Sequence, residues 1–252
     1  MLLTIDIGNT TTKFGVFEKD TLIKRYTIPT IRSKTADQIF ESTEGELNYN
    51  FRGVIISTVV PELNDSFLQL GENHFNSNVT FVNHDFDWGF KINYNPPENV
   101  GIDRLVAAYA AVEKHGKSCI VCDFGTATTI DAVNKNNEYL GGIITAGMNL
   151  LADSLHQRTS KLPKIELRKP EKVIGNTTVA AIQSGVYFGY IGLVDGIITR
   201  IIAEMGEKPK VIATGGLVNL IAETSKMVKI VDENLMLGGL RMIFETQNKT
   251  ND

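Results

Sequence analysis

The stretch Asp6-Ile-Gly-Asn-Thr-Thr-Thr-Lys13, inside the N-terminal run MLLTIDIGNTTTKFG, decides how the chain is read. An alternating apolar segment, LLTIDIG, stops at a glycine turn rich in hydroxyls. It resumes as KFGVF and LIKRYTI with the period of β-strands, the polar turn Glu18–Asp20 lying between them. A helical pattern over Ala36–Leu47, a β-branched run Val54–Val60 closed by Pro61, a helix near Leu63–Phe75 and a strand Val79–Val82 follow, which makes a βββαβαβ unit. After Gly116 the order restarts as SCIVCDFG, ATTIDAV and EYLGGIITAG, with Asp123-Phe-Gly-Thr-Ala-Thr128 where the first copy has its glycine turn. A helix around Met148–Leu155, a long helix from about Thr178 to Met205, the strand KVIATGG, and MVKIV followed by LMLGGLRMIFE complete the second copy. The polar tail QNKTND is expected to fray. The chain is therefore expected to be α/β with two domains, residues 1–115 and residues 116–252.

Composition narrows the function classes. The 252 residues include 25 Lys plus Arg against 29 Asp plus Glu, with 42% hydrophobic residues, enough for a core without metal or disulfide staples. The net charge of −4 is small and the cations are dispersed, so no nucleic-acid partner is expected and small molecules are. An Asp at position 6 and no basic leader argue against a targeting peptide, and no continuous 18-residue apolar run is seen, so the reading is cytoplasmic with no membrane partner. Cys119 and Cys122 form a lone CxxC whose odd separation on a strand points the side chains to opposite faces, so no metal or redox use is expected. The four histidines show no pairing at ligand spacing. In the long helix Gly185, Gly189, Gly192 and Gly196 recur, each costing about 1 kcal/mol relative to Ala, which points to close helix-on-helix packing, within the chain or between subunits.

A third turn, Ala213-Thr-Gly-Gly216, joins the first two in placing small residues after a strand. Glycine lets backbone N–H groups approach a phosphate, Thr hydroxyls add neutral donors, and Lys13 adds a point charge. Asp6 at a strand end suits a hydrated Mg²⁺ that bridges phosphate oxygens. Neither GxxxxGK[ST] nor GxGxxG is present. Any one of these turns alone reads more readily as an ordinary β-turn. As a set they resemble the phosphate-1, phosphate-2 and adenosine turns of the actin, Hsp70 and sugar kinase superfamily, in which two ribonuclease-H-like (actin-like ATPase) domains of βββαβαβ type hold the nucleotide in the cleft between them.

Within that superfamily, Tyr94-Asn-Pro-Pro-Glu-Asn-Val-Gly-Ile-Asp-Arg104 resembles the YxxPxxxGxDR motif of type III pantothenate kinases. DIGNTTTK, STVVPEL, DFGTATTID, GGIITAG, GNTTVAAIQSG and ATGG fall in that family's order over about residues 1–240. The resemblance implies ATP-dependent phosphorylation of pantothenate to 4′-phosphopantothenate, the first step of coenzyme A biosynthesis. It implies that Asp6, Ile7, Gly8, Asn9, Thr10, Thr11, Thr12 and Lys13 form the ATP segment, with Asp6 on Mg²⁺ directly or through water, and that Thr126 is a further ATP contact. Asp123 matches the carboxylate that binds a monovalent cation, K⁺ or NH₄⁺. Tyr94, Gly101, Ile102, Asp103 and Arg104 match pantothenate-binding positions, with Asp103 as proton acceptor. Thr178 matches a Thr that reaches pantothenate from the neighbouring subunit, so a homodimer with a shared site is implied. Where the family commonly has GRNT this chain reads Gly175-Asn-Thr-Thr178, and Thr177 lies beside the matching position.

The residues allow alternatives. Asp103 also reads as a helix N-cap, Arg104 as a surface ion pair, Lys13 as a solvated strand residue, and Asp131 is left unassigned. Two other functions fit the turns: a kinase of the same fold acting on another small hydroxyl or carboxyl substrate, and a non-catalytic nucleotide-binding regulatory factor.

Overall fold

The computed structural model describes residues 1–43 and 45–249. It divides into two compact units, one formed by Met1–Gly89, Asn95–Ala110 and Asn234–Asp252, the other by Phe90–Tyr94 and Ala111–Glu233.

In the first unit, β1 (Leu2–Ile7), β2 (Thr11–Glu18), β3 (Thr21–Pro29), β4 (Val54–Thr58) and β5 (Val79–Phe81) form one sheet in the order β3-β2-β1-β4-β5. β1, β2 and β3 are an antiparallel meander, whereas β4 and β5 join in parallel. All six residues of β1 are buried, as expected of a central strand covered on both faces. Leu3, Ile5 and Ile7 point into a core shared with Phe14, Ile39 and Phe67, the last two brought by α1 (Ala36–Glu41) and α2 (Asn64–Gln69). The other face meets the C-terminal helix α7 (Leu235–Lys249), where Gly15 leaves room for Leu237 and Gly53 for the ring of Phe244. Each such fully buried Leu or Phe contributes about 1.5–3 kcal/mol.

In the second unit, β7 (Cys119–Phe124), β8 (Ala127–Val133) and β9 (Glu138–Ala146) repeat the meander, and β10 (Lys210–Thr214) and β11 (Ile230–Val231) repeat the parallel pair. The order β11-β10-β7-β8-β9 is the first sheet's order again, extended at the β9 edge by β6 (Lys91–Ile92). Ile120, Cys122 and Phe124 face a core built with Met148 of α4 (Met148–Arg158) and Tyr187, Tyr190 and Val194 of α5 (Thr178–Met205). The unit also holds the short helix α6 (Val218–Ala222). α5 starts on Thr177, whose hydroxyl accepts from Ala180 N at 3.1 Å, and ends on Gly206 in the left-handed region at φ 63. α3 (Ile102–His115) runs from the first unit into the second.

Two segments lie in a different unit from the one their place in the sequence gave them. α7, expected in the second domain, belongs to the first because Leu235, Leu237, Leu240 and Ile243 need an apolar face and that sheet offers one. Phe90–Tyr94 belongs to the second because β6 pairs with β9, a strand of two residues that no period could show. The helix expected over Ala36–Leu47 stops at Glu41: Ser42 Oγ and Thr43 Oγ1 bond back to the carbonyls of Gln38 and Phe40, and Gly45 turns the chain at φ 76. The expected helix Leu63–Phe75 is a 3₁₀ turn, α2 and a π turn over Leu70–His74. The fraying expected of Gln247–Asp252 lies, from residue 250, outside the described residues.

Although no continuous apolar run was seen, α5 is long and apolar enough by length and composition to cross a membrane, with an 18-residue window of mean hydropathy 1.5. One face of it is nevertheless core, with Val186, Tyr187, Tyr190, Val194 and Ile198 buried.

Candidate active site

In the first unit the antiparallel register sets Asp6 opposite Lys13, and the turn between them closes with Gly8 N donating to Thr11 O at 3.1 Å. Lys13 Nζ lies 3.6 Å from Asp6 Oδ2. Burial raises the Asp6 pKa above the ordinary carboxylate value, and the Lys13 charge opposes that shift. Lys13 is thus part of the turn's charge arrangement and not a solvated strand cation. Asn9, Thr10 and Thr11 are exposed, while Thr12 is buried with its hydroxyl 2.9 Å from Thr30 Oγ1, so Thr12 fixes the strand and the first three face outward. Two neighbours were not found from sequence. Arg32 donates to Asn9 Oδ1 at 3.3 Å, bringing a second cation to the turn from a loop with no motif. Ser57, beside Asp6 in the parallel β1–β4 register, is fully buried; its place in STVVPEL was the available signal.

The same unit holds Gly101–Arg104. Asp103 lies in the first turn of α3, one residue past its start, so it is not the N-cap. Its Oδ1 accepts from Arg104 N at 2.9 Å, and a Cβ on Gly101 would collide with that oxygen. A side chain at position 101 would therefore push the Asp103 carboxylate out of this position. Arg104 is only 6% exposed, which sets aside the surface ion pair.

In the second unit the matching turn is packed at its base by two other glycine segments, while Thr126 and Ala127 stay exposed. Gly147 N donates to Thr126 O at 2.9 Å, and a Cβ at Gly147 would collide with the carbonyls of Gly125 and Thr126. Gly215, at φ 100, lies against Asp123: its Cβ would stand 2.5 Å from Asp123 Oδ1 and 2.6 Å from Phe124 N. The three small-residue segments DFGT, TAGM and ATGG thus meet at the C-terminal end of β7. Thr126 sits at the tip of that turn. Asp131 is buried, accepts from Tyr139 OH at 2.7 Å, and so supports the sheet. Tyr94 lies against Gly141. Thr178 is exposed at the first position of α5, and because Thr177 caps the helix, the hydroxyl left for other work is that of Thr178.

Among the described residues no three His, Cys, Asp or Glu side chains gather as a metal site. Asp6 fits a cation that takes its remaining ligands from phosphates and water, and Asp123, with glycine backbone pressed against it, fits one that takes carbonyl oxygens. Cys119 and Cys122 are free and buried; burial pushes the Cys119 thiol up to about 12 and Cys122 up as well, so neither is reactive near neutral pH.

A family model described as type III pantothenate kinase matches residues 2–200. The type III pantothenate kinase of Koribacter versatilis is 43% identical, over 100% of this chain and 97% of its own. That of Myxococcus xanthus is also 43% identical, over 97% and 98%. Among solved structures, a Campylobacter jejuni protein described as a Baf family transcriptional activator aligns with TM-score 0.65 at 21% identity over 98% of this chain and 99% of its own. The activator of 2-hydroxyisocaproyl-CoA dehydratase from Clostridium difficile, with bound ADPNP, aligns with TM-score 0.56 at 13% identity over 99% and 97%. The two structures share the fold of two mixed α/β sheets.

Proposed function

This chain belongs to the type III pantothenate kinase family, and on that premise we propose a role for each residue in the transfer of a phosphoryl group from ATP to pantothenate, the reaction it contributes to coenzyme A biosynthesis. The observation that carries the assignment is the Gly101–Arg104 turn, where a glycine leaves room for the Asp103 carboxylate beside a buried arginine.

Asp103 accepts the proton of the primary hydroxyl as that oxygen attacks the γ-phosphorus and the bond to ADP breaks. Arg104 offers a planar fork to the pantothenate carboxylate. Asn9, Thr10, Thr11 and Lys13 hold phosphate oxygens, and Thr126 is a further ATP contact. Magnesium, bound with ATP, neutralises phosphate charge, and Asp6 is the residue that would hold it. Asp123 would hold potassium or ammonium. Because the transition state is loose, positioning and charge neutralisation supply most of the acceleration.

The active form is a homodimer in which Thr178 serves the neighbouring site. Supporting this, no neighbouring element covers Gly185, Gly189 or Gly192, and Gly185 and Gly189 share a groove with the exposed Leu155 (38%). A cavity of about 630 Å³ follows the same helix from Thr178 to Leu193. The enzyme works in the cytoplasm.

The test is ADP formation with MgATP, with and without pantothenate, in potassium, ammonium and sodium-only buffers. Pantothenate-dependent turnover that needs potassium or ammonium is expected. Turnover in every buffer would remove the cation role of Asp123, and no turnover with pantothenate would remove the substrate. Light scattering should report a dimer; a monomer at working concentration would remove the shared site.

A further inference from the structure

The seat of Tyr94 is built from an irregularity in the second sheet. β8 and β9 pair as Ala132 with Gly141 and then as Val133 with Tyr139, so Leu140 is an extra, bulged residue. Gly141 takes φ 87, open to glycine and strained for a side chain. A Cβ there would also lie 3.1 Å from Tyr94 Cδ2 and 3.3 Å from Cε2, too close for the ring to stay where it is. The backbone therefore demands glycine here, and a side chain would also push the tyrosine ring by a few tenths of an ångström.

The segment that delivers the ring is fixed just before the bulge. Lys91 N donates to Asn137 O at 3.0 Å and Asn93 N to Tyr139 O at 2.9 Å, and Phe90 stacks on Tyr139 with ring centroids 6.1 Å apart. Tyr139 is anchored in turn on buried Asp131. Pairing of β6 with β9 ends at Ile92–Tyr139, immediately before Leu140. The bulge thus stops the added strand and turns Tyr94 down onto Gly141, a use to which bulges beside functional sites are put.

We propose that the Leu140–Gly141 bulge, with the Phe90–Tyr139–Asp131 stack beneath it, is the positioning element that sets Tyr94 for pantothenate, Gly141 acting through the tyrosine ring. The inference rests on Tyr94 being a pantothenate contact. Gly141 is a positioning residue and takes no part in the chemistry.

The experiment is a kinetic double-mutant cycle of Gly141→Ala, Tyr94→Leu and the pair, with KM for pantothenate, KM for ATP and kcat measured separately. Gly141→Ala should raise KM for pantothenate about tenfold and leave KM for ATP within about twofold. In the Tyr94→Leu background the same substitution should add less than about twofold. An equal rise in both backgrounds overturns the proposal, as does a loss of kcat with both KM values unchanged, the result of a glycine that matters only to folding. If Gly141→Ala does not fold, Phe90→Leu replaces it, removing the stack without touching the strained backbone; its rise in KM should also vanish with Tyr94→Leu, and one that persists overturns the proposal. Absence of pantothenate turnover in the unmodified enzyme is a separate result, which removes the assigned substrate and this inference together.

Discussion

The two units build one topology from different chemistry, and their first turns show where they part. Both place Asp-x-Gly at the end of the central strand, as Asp6-Ile-Gly8 and Asp123-Phe-Gly125. Across the first hairpin Asp6 faces Lys13; across the second Asp123 faces Thr129. A Cβ at Gly8 would meet only Thr11 O at 3.1 Å, and one at the matching Gly125 only Ala127 O at 3.3 Å and Asp123 Oδ1 at 3.8 Å, but the second turn alone has the backbones of Gly147 and Gly215 packed against it. A turn with a cation suits phosphate, and a carboxylate with glycine backbone against it suits a weakly hydrated monovalent ion. The proposed proton acceptor Asp103 also belongs to the first unit, while Tyr94 and Thr178 belong to the second. On the proposed roles, phosphate charge and bond-making fall to the first unit, and the monovalent cation and the Tyr94 contact to the second.

The largest expected effect tests that division directly. Asp103→Asn should lower kcat by about 10²–10⁴-fold with ATP affinity retained, measured by coupled turnover and nucleotide titration. If most activity survives, the acceptor lies elsewhere. In the second unit Asp123→Ala should bring turnover in potassium buffer down to the sodium-only level, while a variant still stimulated by potassium would break the contrast between the turns.

Stability should separate the turns next. Gly147→Ala drives a Cβ into two carbonyls and should cost about 2–4 kcal/mol, whereas Gly8→Ala should cost less than about 1 kcal/mol; thermal melting reads both. Similar losses would mean that the packing of Gly147 on the second turn matters no more than the local closure of the first.

Lys13→Met probes the charge half through pH. The Asp6 carboxyl, raised by burial, takes its proton at a higher pH than an ordinary carboxylate, and function that needs the ionised form is lost as pH falls through that raised value. Removing Lys13 removes the influence that opposes the rise, so the acid limb of kcat/KM for ATP should move to higher pH. For stability the sign is opposite: the buried ionised form is the costly one, so the folded state gains as pH falls through the same window. An acid limb that stays put would detach Lys13 from Asp6.

The smallest pair concerns adjacent threonines. Thr177→Ala should cost about 1 kcal/mol as a lost cap with KM for pantothenate unchanged, while Thr178→Val should raise that KM with little change in melting temperature. The reverse pattern would exchange their roles.

Much of the candidate site was legible because its segments are local. A turn of eight residues such as Asp6–Lys13, or the four of Gly101–Arg104, carries its chemistry in its own order, and hairpin register then fixes which side chains face. Arg32 was not legible, since only folding brings a loop residue to Asn9. Neither was the burial of Arg104 nor the release of Asp103 from capping, which depend on where α3 begins.

The sequence by itself determined the repeated strand and helix order, the glycine turns and the family, because period, turn chemistry and motif spacing act over a few residues. Tertiary structure alone decided that α7 covers the first sheet, that two residues of a proline-bearing loop become a strand of the second, and that Tyr94 comes to rest on Gly141. Those outcomes depend on which apolar faces and free strand edges remain once the local elements have formed, and such pairings join residues too far apart in the chain for any local pattern to record.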